Sequence, residues 1–404
     1  MKRAALVRLP ALLAALLLLT GCGSLLNRDY SSVSRHISQR ADTEDASVLR
    51  VETYSDLVNS VQYFVSLHAA EGTVHLYQYS GDVEQDLQEA CDEVLGQDPL
   101  GSYALRDIRW DSSRIVSYYE CTFTFRYRRS AEQVASIRQT TGTVAIRDVL
   151  GEALAGYEDT LVLQTSTYYA QKDRLYDLLQ EAYYDDPAHA LGLPDMAVTI
   201  YPQDIQGGTQ RIVELQFTYS DGQATLLAQA EAVAQAAATL AGPSPAQGEV
   251  GYWLLYSRLG DLVTYDAEAS PSVHAALVDG SADSEGIALA YQLLCQRSGL
   301  TCQLIQGTLD GSPHWWNLVE LEEDLWRHVD VTAGLEQGQF LCTDSQIAQR
   351  YTWDAERYPA CPDSPEEDAA PDGSDTDAAP DSSDTDAADG QEEPLSEAAI
   401  SLLP

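Results

Sequence analysis

The stretch Val278–Cys302, VDGSADSEGIALAYQLLCQRSGLTC, decides how the chain is read. After Ser284 the apolar residues Ile287, Ala290, Tyr291 and Leu294 fall at i, i+3, i+4 and i+7, so the spacing predicts a helix with one buried face, ended by "SGL". Ser284 lies at or just before its first turn. Free backbone N–H groups and the positive end of the helix dipole favour negative charge there, which is where activated nucleophiles are found. A serine at that point is also among the best helix N-caps, so two readings of Ser284 stand side by side.

The segments C-terminal to Ser284 weight the first. "CQLIQGTL" reads as a strand, "DGSP" as a turn, "HWWNLVEL" as a strand, "EED" as a turn and "LWRHVDVT" as another strand. In this hairpin His314, Trp316 and Leu318 share one face, and Trp326, His328 and Asp330 share one face. Both sets are even-numbered, so a turn centred at 322 or 323 puts His314 opposite or diagonal to Asp330 on the same side of the sheet. That is the geometry of a histidine oriented by a carboxylate, and a nucleophile position at a helix N-terminus completes a triad. The same pair would also serve as a hydrogen-bonded support for the hairpin.

The order of a [CS]-E-G helix, "H-x-W-N-x-V" and "W-x-x-V-D-V-T" resembles the transglutaminase-like domain, whose fold is papain-like. "LVTYDAEASPSVHAALVDG" before the helix and "QFLCTDSQIAQRYTWDAERYPAC" after the hairpin extend the resemblance over roughly residues 250 to 361. It implies that Ser284 occupies the nucleophile position, His314 that of the general base and Asp330 that of the orienting carboxylate. The chain departs from the family pattern at Ser284, where a cysteine is expected, at Ile287, where tyrosine is common, and at Arg327, where an aromatic usually follows the tryptophan. A cysteine with a reference pKa of about 8.5 can rest as a thiolate beside an imidazole. A serine must lose its proton during attack, and needs an aligned base and a strong oxyanion hole. The Ser284 backbone N–H is one candidate oxyanion donor. Cys295 and Cys302 cannot replace the missing thiol, one lying deep in the helix and the other opening the next strand; they read as buried thiols or a short local bridge. Trp315, Trp316 and Trp326 read as cleft lining or as core.

The chain ends are not core. Residues 1–21 open with Lys2, Arg3 and Arg8, run through "ALLAALLLL" and finish in "LTGC", an apolar run too short to span a bilayer and therefore a secretory signal. "LTGC" resembles a bacterial lipobox, which implies cleavage before Cys22 and lipid on that residue; an ordinary signal peptide with a chance cysteine is the alternative. The expected location is the outer face of a bacterial membrane. Residues 22–46 read as the lipidated cysteine and a polar tether. Residues 362–404 carry 14 acidic residues and no Lys or Arg, repeat "DAAPD(G/S)SDTD", and cannot bury a core. Lys and Arg total 23 against 63 Asp and Glu, a net charge of −40, which argues against nucleic acid as a partner.

Between the ends an internal repeat precedes the last domain. "YSDLVNSV" at 54–61 recurs as "IRDVLGEA" at 146–153, "DLQEACDEVLGQDP" at 86–99 as "LLQEAYYDDP" from Leu178, and "RIVSYYECTFTFRY" at 114–127 as "RIVELQFTYS" from Arg211. The expected class is α+β: repeat units at 47–140 and 141–240, each a helix, a strand, a second helix and a hairpin, then the transglutaminase-like domain at 248–361. Six cysteines remain after Cys22, and two bridges are expected: Cys342 to Cys361, pinning the chain end, and Cys91 to Cys121, whose counterparts Tyr183 and Leu215 are apolar. No CxxC or helically spaced His pair supports a metal, and no cofactor is expected. Two functions stay open: a surface lipoprotein whose inherited cleft binds a peptide, peptidoglycan or protein without chemistry, or a weak serine-dependent acyl hydrolase or acyltransferase.

Overall fold

Alternating apolar residues and well-capped helices build the first unit. β1 (Val48–Val51), α1 (Tyr54–Ser66), β2 (Glu71–Tyr77), α2 (Val83–Gly96), α3 (Pro99–Ala104), β3 (Leu105–Ile115) and β4 (Tyr118–Tyr127) succeed one another along the chain. Thr53 and Asp56 form a capping box at α1, and Asp82 and Asp98 cap α2 and α3. The sheet runs β1-β2-β4-β3, with β1 parallel to β2 and the rest antiparallel. Cys121, Phe123 and Phe125 point inward from β4 as expected, against Leu57, Val61 and Phe64 of α1. The leading strand β1 was not expected.

The structure, a computed structural model, describes residues 48–203, 208–243, 246–332 and 339–363. The expected signal segment, Cys22, the tether and the acidic tail beyond Asp363 lie outside the described residues. Among the described residues no helix is long and apolar enough to cross a membrane.

The second unit comprises α4 (Ala131–Ala135), β5 (Arg138–Gln139), α5 (Thr143–Ala155), β6 (Thr160–Ser166), α6 (Lys172–Asp185), β7 (Asp195–Tyr201) and β8 (Gln210–Thr218). Its sheet, β5-β6-β8-β7, has the order of the first, again with a parallel leading pair. In the first sheet Val74 of β2 faces Cys121 of β4, and in the second Leu161 and Leu163 of β6 face Leu215 and Val213 of β8.

The last part holds α7 (Gln223–Ala241), α8 (Gly248–Leu262), β9 (Thr264–Tyr265), β10 (Ser281–Ala282), α9 (Ser284–Arg297), β11 (Cys302–Leu309), β12 (Ser312–Glu322), β13 (Leu325–Val329), β14 (Phe340–Cys342), α10 (Asp344–Ile347) and β15 (Tyr351–Trp353). The five-stranded sheet β14-β13-β12-β11-β15 is antiparallel throughout. α9 is buried on every side from Gly286 to Cys295, not on one face, because β12 covers one side while α7 and α8 cover others. One continuous apolar core runs from Ile146 of α5 through α7, α8 and α9 to Val331. The first unit keeps its own core and meets the second at Tyr103, Ala104, Val162, Tyr201 and Ile212.

Candidate active site

Asp283, not Ser284, caps α9: its carboxylate accepts the Gly286 N–H at 3.0 Å. Ser284 is thus the first helical residue, with a hydroxyl not spent on capping. Gly286 is required by packing, since a Cβ there would lie 2.8 Å from the Ser272 carbonyl oxygen. The helix end meets the sheet where strand pairing runs out. Asn317 faces Val329, the last residue of β13, so the Trp315 N–H has no rung to join, and Ser284 Oγ accepts it at 3.4 Å.

The hairpin register centres the turn at 323, as the residue parity predicts: Leu318 faces His328 and Glu320 faces Trp326. His314 and Asp330 are therefore diagonal neighbours, and His314 Nε2 lies 2.8 Å from Asp330 Oδ2. Asp330 also accepts from the Thr332 N–H at 2.9 Å, from the Thr332 hydroxyl, and from the Tyr351 hydroxyl at 2.6 Å. Burial opposes its ionisation, but the hydrogen bonds and the His314 ring outweigh burial and hold the carboxyl below its ordinary range. An ionised Asp330 only accepts, so His314 Nε2 carries the proton of this hydrogen bond. Ser284, His314 and Asp330 are only 4, 3 and 3% exposed, and among the described residues no hydrogen bond joins Ser284 to His314.

Next to this trio Glu285 carries a carboxyl pushed up to about 7 by burial and, secondarily, by the Asp283 charge; the Tyr184 hydroxyl of α6 donates to it at 3.2 Å and opposes the shift. The second unit thus reaches the first turn of α9. Nothing in the sequence flagged that contact across 101 residues, nor Thr332 and Tyr351 as partners of Asp330.

The three tryptophans do not share a cleft wall. Trp316 is core at 1% exposed, while Trp315 and Trp326 are half-buried on opposite faces of the sheet, Trp315 toward α9 and Trp326 toward the closing segment. Trp316 donates its indole N–H to His328 Nδ1 at 3.0 Å, and His328 Nε2 meets Asp344 Oδ1 at 2.8 Å. Donor atoms of His328, Asp344 and Cys361 lie within 4.8 Å of one another, a spacing a metal could use. The hydrogen bonds exclude that use. Indole only donates, so Nδ1 accepts, Nε2 keeps the proton it gives to Asp344, and His328 has no lone pair left for an ion. Burial, opposed by Asp344, lowers the His328 pKa and keeps the ring neutral.

Both expected disulfides are absent: the six cysteines of the described residues are thiols. Cys342 Sγ turns to Gln339 Oε1 at 3.7 Å and the Phe340 carbonyl, while Cys361 lies against His328 and Asp344, with its N–H on Asp344 Oδ2 at 2.9 Å. The chain end is pinned by that hydrogen-bond chain instead. Cys91 and Cys121 both enter the first core, where burial pushes each thiol up to about 12. Burial, then the neighbouring Cys295, also raises the Cys302 thiol.

A solved chain described as "Crystal structure of a TGase" is similar to part of this one. The two share 12% identity with a TM-score of 0.25, over 44% of this chain and 52% of that chain, so the match spans about half of its length. No protein-family model matches the sequence, and no curated protein matches it either.

Proposed function

We propose that this protein is a lipid-anchored, extracytoplasmic binding protein built on a transglutaminase-like domain whose nucleophile site is chemically silent. Two copies of one small α+β unit precede that domain, and an acidic tail succeeds it. One observation carries the reading: the Ser284 hydroxyl is engaged by the Trp315 N–H rather than by His314, inside a trio almost closed to solvent. A site that held a thiolate–imidazolium pair is poorly arranged for an alkoxide, which must be made during attack. "LTGC" ending at Cys22 supports the anchor, and the net charge of −40 supports a ligand other than nucleic acid. The ligand expected is a peptide, a peptidoglycan fragment or a protein segment.

A second reading is favoured by one feature. His314 is oriented by Asp330 through Nε2 and stands one residue from the N–H that holds Ser284. A shift of α9 that brought Ser284 Oγ within hydrogen-bond reach of the His314 ring would make Ser284 the nucleophile of a slow acyl hydrolase or acyltransferase. The purified chain is assayed on peptide and cell-wall acyl donors beside Ser284→Ala and Ser284→Cys. The binding reading expects wild type to equal the alanine variant, with Ser284→Cys alone gaining activity or thiol reactivity. Wild-type turnover about ten-fold or more above Ser284→Ala would establish the enzyme instead.

A further inference from the structure

A cleft of about 240 Å³ lies between the second unit and the five-stranded sheet, alongside α9. Gln292, on α9, lines it eight residues after Ser284, about 12 Å along the helix at 1.5 Å per residue. Its side chain is 6% exposed; Nε2 donates to the Tyr184 carbonyl at 3.1 Å, and Oε1 is a buried acceptor with no partner among the described residues. Leaving such an acceptor dry and unpaired is costly, and a ligand N–H would satisfy it.

The charges around Gln292 are of both signs. On the α5–α6 side Arg147 is held loosely by Asp185 at 3.4 Å and Glu181 at 4.0 Å. On the opposite side Arg357 has no carboxylate partner among the described residues; its guanidinium lies 5.9 Å from the Tyr358 ring. Two cations and two carboxylates leave the wall close to neutral, which disfavours a simple anion in a chain of net charge −40 and suits a molecule carrying both charges.

The third wall is peptide backbone. β15 covers only Gly307–Leu309 of β11. Beyond it the Tyr358 hydroxyl takes the Gln306 N–H at 3.2 Å, so even-numbered residues of β11 point their backbone groups outward. Leu304, the next one, presents its N–H and C=O to the cleft with no strand opposite among the described residues. An uncovered strand edge is what an extended peptide pairs with.

We propose that this cleft binds a short zwitterionic peptide of about two residues, its carboxylate on Arg357, its ammonium on Glu181 and Asp185, and its amide between Gln292 Oε1 and the Leu304 edge. The volume, below the roughly 300–1,000 Å³ of pockets for drug-sized ligands, suits that length. The assignment rests on the proposed binding function but uses no atom of Ser284, so the two fail separately.

The test is calorimetric titration of the purified chain with alanylalanine, its N-acetyl form and its C-terminal amide. The free dipeptide is expected to saturate the protein. Amidation, N-acetylation and Arg357→Ala are each expected to weaken binding about ten-fold or more, and in Arg357→Ala amidation should cost nothing further. Arg357 is exposed, so its loss spares the fold. No saturation by wild type up to about 10 mM, or binding indifferent to both blocking groups and to Arg357→Ala, overturns the proposal. Ser284→Ala should bind the dipeptide as wild type does. Turnover at Ser284 with dipeptide binding intact would remove the silent-site reading and leave this one.

Discussion

Glu285 shows how one side chain ties the site to pH. Its folded pKa of about 7 stands above the ordinary 4.5, so between those values the folded protein holds a proton that the unfolded chain has released. The stabilisation from Glu285 is fully present below about 4.5 and is lost as pH rises through 7; at 1.36 kcal/mol per unit its ceiling is about 3 kcal/mol. Thermal melts from pH 5 to 8 should show stability falling over that window, and Glu285→Gln should flatten the fall and be the more stable protein at pH 8. A variant that keeps the wild-type slope would remove Glu285 as its source. His314 and Asp330 were legible in the sequence because strand parity alone puts two even-numbered residues on one side of a hairpin. Glu285 was not, because its burial comes from Tyr184, a residue with no local pattern relation to it. The capping role of Asp283 escaped for a different reason: Asp and Ser, adjacent in "ADSEG", are equally good caps, and only the backbone shows which one precedes the first helical residue.

At the scale of elements, the sheet is assembled through close approaches that no side chain would allow. A Cβ on Gly307 would fall 2.1 Å from the Thr352 carbonyl oxygen and 2.7 Å from the Trp316 ring. Gly307 thereby lets β15 lie on β11, and β15 carries the Tyr351 hydroxyl to Asp330. Gly307→Ala should cost about 1–3 kcal/mol in a urea melt, as overpacking does, and should loosen the Tyr351 contact. An alanine variant as stable as wild type would show that the strand accommodates the methyl group. The β12–β13 hairpin and α9 were readable as elements, since each carries its own period. The burial of α9 on all sides was not, because Ala288, Leu289 and Leu293 on its second face are covered by helices whose sequence distance hides the contact. The disulfide expectation failed at this scale too. An even cysteine number and the export expected from residues 1–21 argue for bridges, but the Trp316–His328–Asp344 chain already fixes the segment around Cys361.

At the scale of the whole chain, the two similar sheets are used differently. The first unit buries Leu57, Phe64, Leu87 and Phe123 within itself and touches the second through a small cluster, with Arg129 reaching Glu214 at 2.6 Å and Tyr201 donating to the same carboxylate at 3.1 Å. The second unit has no such independence, because Leu150, Leu179, Val233 and Leu289 belong to one core. The Pro- and Gly-containing break "PSPAQGE" reads as a domain boundary, yet apolar burial crosses it. Local composition reports where a backbone leaves one element, whereas a core is a property of surfaces brought together by the fold. A fragment of residues 131–363 should therefore melt cooperatively without the first unit, since it keeps β5 on its sheet and the shared core whole and exposes only the small contact cluster. A fragment of residues 248–363 should not. Without α5, α6 and α7 it would expose the covered face of α9, bind a hydrophobic dye and lose its cooperative transition. Circular dichroism melts of the two fragments decide this, and a sharp transition in the shorter one would mean that the second unit packs against a domain able to fold alone.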